Sequence, residues 1–237
     1  MASDLTARPS DWVGGGRKIK LHHFFYFLAV SCVVAVVAFA TIRPIQVLPR
    51  VTLAPGFSLT DENGERLTSE DFRGKIVLYN FTYTHCQEPC PQTGQVMRQV
   101  QERLSIVDSG DIPIELVTIS FDPERDTPEA LRRYADALGA DLSRWHFATG
   151  LADRLKWIIG GGFGLYYKQA EDGSFRFDPG FVLVDGAGIL RAEYRTATPD
   201  VDIILRDFRL IVQEVQNSEG AYRYAYEAAH LFLCYPR

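Results

Sequence analysis

An α/β fold carried on one N-terminal transmembrane helix is what this 237-residue sequence predicts, and three observations lead there. The stretch from Leu21 to Ile42 contains no Asp, Glu, Lys or Arg. Beyond Pro55, strand-like apolar runs alternate with helical stretches, and a late Gly-Ala-Gly turn separates two more strand-like runs. A 46% hydrophobic content is enough for one core plus a membrane segment.

The uncharged run of 22 residues makes about 33 Å of helix, the thickness of a bilayer core. Arg17, Lys18 and Lys20 precede it, so the positive-inside rule keeps residues 1–20 in the cytoplasm and sends 43–237 to the outer side. Ala38-Phe39-Ala40 resembles a signal-peptidase site, but the run exceeds the roughly 7–15 residues of a signal peptide's apolar region. An uncleaved anchor is therefore favoured. Cys32 within it reads as a small buried hydrophobe.

Residues 43–54 hold Pro44 and Pro49 and show no helical period, which suits an extended tether. The folded domain is expected over 55–216. A short strand at Phe57–Thr60 and a turn at Asp61–Gly64 come first, followed by Ile76–Thr82, whose near-continuous apolar character marks a central strand buried on both faces. A helix over Gln95–Leu104, a strand at Ile114–Phe121 and a helix from Pro128 to Leu138 follow. Thr127 is the N-cap of that helix and Pro128 its first residue. A helix at Ala152–Ile159 should end at Gly160-Gly161-Gly162. Phe181–Asp185 and Ile189–Tyr194 form a hairpin about Gly186–Gly188, and Val201–Gln216 closes the domain as a helix. This order is the thioredoxin-like arrangement.

The net charge is −5, of which residues 1–20 contribute +2, so the outer part carries −7. Such a surface repels phosphate backbones and disfavours nucleic acid as a partner.

Cys86 and Cys90 lie between the central strand and the helix after it, where open α/β sheets place their ligand sites. A helix N-terminus favours thiolate, and a spacing of four keeps both sulfurs on one side. Metal binding, redox chemistry and a structural disulfide are all open to such a pair.

The run from Phe81 through Thr-Tyr-Thr-His-Cys-Gln-Glu-Pro-Cys to Pro91 resembles the signature strand and loop of the Sco/SenC family. Pro55–Asp61 with Gly64 resembles that family's opening strand and turn, and Phe121–Glu129 its second strand's exit loop. The resemblance spans roughly 55–216. It implies a membrane-tethered thioredoxin fold that binds copper through two cysteines and one histidine, helps assemble the dinuclear copper centre of cytochrome c oxidase, and has a thiol-disulfide role. Its partners would be a copper-oxidase subunit or another copper- or thiol-handling protein, in the periplasm or intermembrane space.

One ligand is missing from that pattern. The family's histidine precedes the late hairpin, and counting back eleven residues from Gly188 lands on Phe177. No histidine occurs anywhere from Ser174 to Asp185. His85 matches a family position that is not the ligand and reads as a local hydrogen-bonding residue, and His146 reads as structural. Asp178 and His230 remain as candidate third ligands. Two thiolates suffice for soft Cu(I), whereas Cu(II) wants added nitrogen, so Cu(I) is the expected form. Pro179, nine residues before Gly188, has the spacing of the cis-proline that faces the cysteines in thioredoxin-like oxidoreductases; an ordinary Asp-Pro-Gly turn is the competing reading.

Residues 217–237 form an aromatic tail, helical over Ala221–Leu233 and too short to span a bilayer. Packing on the domain is its expected role, with His230 and Cys234, four apart, as a soft-metal pair the alternative. Three functions follow: a copper chaperone, a thiol-disulfide oxidoreductase acting on the two cysteines alone, and a partner-binding assembly factor with a vestigial site.

Overall fold

The computed structural model describes residues 21–42, 45–86, 90–218, 220 and 222–232. The basic residues before the first helix, Arg43 and Cys234 lie outside them. Two compact units make up the chain, Met1–Pro44 and Ile45–Arg237.

The first unit holds α1 (Leu21–Ile42), a helix of 22 residues with no acidic residue in its first turn and no basic residue in its last. Its side chains are exposed from His23 through Val37. Among the described residues no helix is long and apolar enough to cross a membrane.

The second unit is built on an eight-stranded mixed sheet. Its strands are β1 (Thr52–Leu53), β2 (Ser58–Asp61), β3 (Arg66–Thr68), β4 (Ile76–Thr82), β5 (Ile114–Ser120), β6 (Trp145–Thr149), β9 (Phe181–Val184) and β10 (Ile189–Tyr194). They lie in the order β1-β10-β9-β4-β5-β6-β2-β3, and β7 (Tyr167–Gln169) with β8 (Phe175–Phe177) forms a separate hairpin. β4, β5 and β6 run parallel, and β9 pairs antiparallel with β4.

Alternation along β4 explains its apolar run. Ile76 and Leu78 enter one core, where α2 (Thr93–Arg103), α3 (Pro128–Leu138) and α5 (Val201–Gln216) supply Val96, Met97, Leu131 and Phe208. Val77, Tyr79 and Phe81 enter the other, with Ile158, Ile159 and Phe163. All seven β4 residues are buried, as a central strand covered on both faces requires. The predicted start of α3 is present: Thr127 Oγ1 accepts from the Ala130 N–H at 3.4 Å, and Gly139 ends the helix at φ 67°.

Four differences from the sequence reading have physical reasons. The stretch expected to be a free tether is tied to the domain: Val47 and Leu48 are buried and β1 joins β10, because Arg191 Nη2 donates to the Leu48 carbonyl at 2.8 Å. β6 gives no strand signal in the sequence since its five residues lack alternation, being buried on both faces apart from half-buried His146. The helix at Ala152 is regular only to Leu155 (α4) and widens into a π-type turn over Lys156–Gly162, so the glycines lie inside it. A Cβ on Gly162 would come within 2.4 Å of Pro55, so that position needs glycine. The β7–β8 hairpin is too short to register as a periodic pattern.

The tail forms α6 (Tyr222–Phe232) and packs on the domain, with Ala229 fully buried.

Candidate functional site

β4 delivers the chain to the cysteines. After Thr82 the backbone leaves the sheet through buried Tyr83, and Thr84 is held from below by Asp126, a carboxylate with no exposed surface. The Thr84 N–H donates to Asp126 Oδ2 at 2.9 Å and its hydroxyl to Oδ1 at 2.5 Å, while Ser120 Oγ also donates to Oδ2. His85 Nδ1 lies 3.3 Å from Asp126 Oδ1 and 3.0 Å from Thr84 Oγ1. His85 is therefore a local hydrogen-bonding residue, as its sequence position indicated.

Cys86 and Cys90 are joined as a disulfide with Cα atoms 5.6 Å apart. Both are half-buried. Cys86 packs against the core cluster containing Tyr83 and Phe121. Cys90 leads through Pro91 to Gln92, the N-cap of α2. The start of that helix is anchored beneath: Asn80 Nδ2 donates to Thr93 Oγ1 at 3.3 Å, Thr118 Oγ1 donates to Asn80 Oδ1 at 2.6 Å, and Trp145 Nε1 donates to Thr118 Oγ1 at 2.9 Å. A fully satisfied buried chain of this kind gives the helix end one position.

The sulfurs face a cleft of about 270 Å³ lined also by Thr84, Pro91, Gly94, Tyr134 and Leu138. Burial, opposed by a hydrogen bond with Thr82, pushes the Tyr134 phenol up to about 12, so it stays neutral beside the sulfurs. Burial likewise raises the Asp122 carboxyl, against the opposing hydrogen bond and charge of Arg125 at 2.5 Å.

His85, Asp122 and Asp126 form a group whose donor atoms lie within 4.8 Å of one another. Each carboxylate is already engaged, Asp126 by Thr84 and Ser120 and Asp122 by Arg125, which marks a structural network that shapes the loop.

The residues expected around the third ligand position scatter. Phe177 ends β8 half-buried, its ring 5.0 Å from Phe121 and 6.1 Å from Tyr83, so it borders the segment that carries Cys86 but offers no donor. Asp178 is exposed, and its N–H donates to the Tyr166 carbonyl at 2.9 Å. Pro179 lies half-buried in the link to β9. None of these three lines the cysteine cleft. His230 Nε2 is 2.9 Å from Glu214 Oε1, and Glu214 meets Arg191, which bonds Asp185 beside the start of β4. Seven residues of β4, about 20 Å of strand, separate that end from the cysteines, so His230 is not brought to them. Asp126, Tyr134 and Asn80 were not singled out from the sequence. A polar residue inside an otherwise apolar strand was the one available signal, and it pointed to Asn80.

The SCO1/SenC family profile matches residues 48–213. The mitochondrial protein SCO2 of Saccharomyces cerevisiae is 36% identical over 126 residues, 52% of this chain but only 38% of its own length. Among solved structures, copper-bound yeast Sco1 superposes with a TM-score of 0.57 at 22% identity, covering 77% of this chain and 99% of that one. BsSco, described as a cytochrome c oxidase assembly protein with a disulfide switch, superposes with a TM-score of 0.62 at 22% identity, covering 70% and 97%. The structural likeness shows the shared thioredoxin-like fold, and the family match over most of the folded unit shows that this chain belongs to the SCO1/SenC family.

Proposed function

We propose that this chain is a membrane-anchored factor that handles copper and thiols through Cys86 and Cys90 during assembly of the dinuclear copper centre of cytochrome c oxidase. One observation carries the reading: two cysteines meet in an open cleft between the end of β4 and the start of α2. Relatives seen with copper bound, and one described with a disulfide switch, support it.

Copper is the cargo in this reading. Reducing the disulfide takes two electrons and two protons and yields two thiols; binding Cu(I) as a dithiolate releases two protons. Two sulfurs satisfy this soft ion, and Phe177 supplies no nitrogen for Cu(II). The same absence supports the second reading, a thiol-disulfide oxidoreductase that needs no metal. A vestigial site in a partner-binding factor is the third, and it requires that the cysteines be dispensable.

In this reading the uncharged 22-residue run from Leu21 to Ile42 is the anchor. The preceding basic residues then place the folded unit on the outer side, periplasmic or intermembrane-space, where a copper-oxidase subunit is the natural client.

The test uses the full chain in non-ionic detergent. After reduction it should bind one Cu(I) against a competing chelator, and Cys86→Ser or Cys90→Ser should abolish this. Cu(II) should be released on desalting. Failure of the reduced chain to take Cu(I) would leave thiol exchange as the function.

A further inference from the structure

A cavity of the second unit lies at the opposite end of β4 from the cysteines, and α6, which lies beyond the family match at residue 213, forms one wall of it. Its volume is about 570 Å³, within the range that houses one small organic ligand. Ile76, Ile112 and Ile189 give it an apolar floor, with Val215 and Tyr226 at the side.

Its buried charges are already matched. Arg191 holds Asp185 at 2.9 Å and Glu214 at 2.5 Å, and donates to the Leu48 and Pro49 carbonyls as well. The rim is different. Arg50, 44% exposed at its side chain, shares Glu214 at 2.9 Å and reaches Glu227 only at 3.5 Å. Arg223 is exposed and forms no ion pair among the described residues. An apolar cavity lined by an exposed guanidinium that has no ion pair among the described residues is complementary to a molecule with an apolar body and one anionic end.

The geometry points to a binding site for a single-chain anionic amphiphile, its hydrocarbon along Ile76, Ile112 and Val215 and its carboxylate at Arg223 and Arg50. The volume suits one chain better than the two of a phospholipid. The packing of α6 supports this: His230 and Ala229 seat the helix on α5, yet a cavity remains beneath Tyr226 and Glu227, so the tail covers the chamber without filling it. The site is separate from the cysteine pair and does not depend on the copper reading.

Full-length protein in non-ionic detergent is titrated with a fluorescent fatty acid and then competed with oleate, with oleyl alcohol and with phosphatidylglycerol vesicles. One oleate per chain is expected to displace the probe. Val215→Trp, a partly exposed position that fills the chamber, should abolish binding while leaving the circular dichroism unchanged. Arg223→Gln should weaken oleate about two- to fivefold, the effect of one exposed ion pair, and leave oleyl alcohol unaffected. Oleate binding that survives Val215→Trp overturns the site, and so does displacement by vesicles without displacement by oleate.

Discussion

Asp126, at the exit of β5, holds Thr84, two residues before Cys86, through both its backbone N–H and its hydroxyl. The parallel pairing of β4 with β5 makes this contact available: Thr82 stands beside Ser120, so the loops leaving both strands emerge together. Asp126→Ala would leave the Thr84 N–H and the Ser120 hydroxyl without their buried acceptor. A loss of about 1–3 kcal/mol in unfolding free energy is expected, with faster hydrogen exchange at the Thr84 amide. Unchanged exchange there would refute the anchoring role.

Gly94 of α2 faces Tyr134 and Leu138 of α3. A Cβ at this position would lie 2.6 Å from the Tyr134 hydroxyl and 3.0 Å from Leu138. Gly94→Ala should cost about 1–3 kcal/mol by overpacking, and adding Tyr134→Phe should recover part of it. Denaturant titration of the single and double variants reads the coupling; strict additivity would mean that the hydroxyl is not the obstacle.

Stability should fall in acid through Glu214. Burial, the largest single influence, pushes this carboxyl up, but hydrogen bonds from His230, Arg191 and Arg50 and the Arg191 charge overcome it and bring the pKa down to about 2. A depressed carboxyl stabilises the fold at any pH above its unfolded value of about 4.3, and the contribution disappears as pH falls from there towards 2. The loss should be on the order of 2 kcal/mol once solvent access is allowed for. Unfolding free energies from pH 6 to pH 2 should show a slope in the wild type that Glu214→Gln reduces.

The resemblance to the family implies a histidine at Phe177, whose ring stands 6.1 Å from that of Tyr83, three residues before Cys86, and Phe177→His offers a nitrogen there. The variant is expected to retain Cu(II) through desalting, with a sulfur-to-copper charge-transfer band that the wild type lacks. His230→Ala should change neither, since that imidazole is committed to Glu214. Tight Cu(II) binding by the wild type would overturn the reading of an incomplete site.

Local chemistry made much of the fold legible. Seven consecutive buried residues announce β4, Thr127-Pro128 starts α3, and Asp185 with Gly188 at φ 77° turns the late hairpin; each signal lies within a few residues of what it specifies. Cys86 and Cys90 were legible for the same reason, being four apart at a strand-to-helix junction. The uncharged 22-residue run was determined locally too, since helix length and side-chain polarity are properties of the segment itself.

Long-range pairing decided the rest. Whether Phe177 or His230 approaches the cysteines depends on β8 folding towards Tyr83 and on α6 docking against Glu214, contacts that join residues 94 and 16 positions apart. Nothing in the stretch from 43 to 54 announces that Arg191, more than 140 residues later, will hold Leu48 and Pro49 and turn a tether into part of the domain. A hydrogen bond needs its partner within about 3 Å, and sequence spacing controls that distance only inside a helix turn, a strand or a tight turn. Asp126 shows the limit best: its residue type and its place in the loop were visible in the sequence, but its hold on Thr84 exists only because β4 and β5 lie side by side.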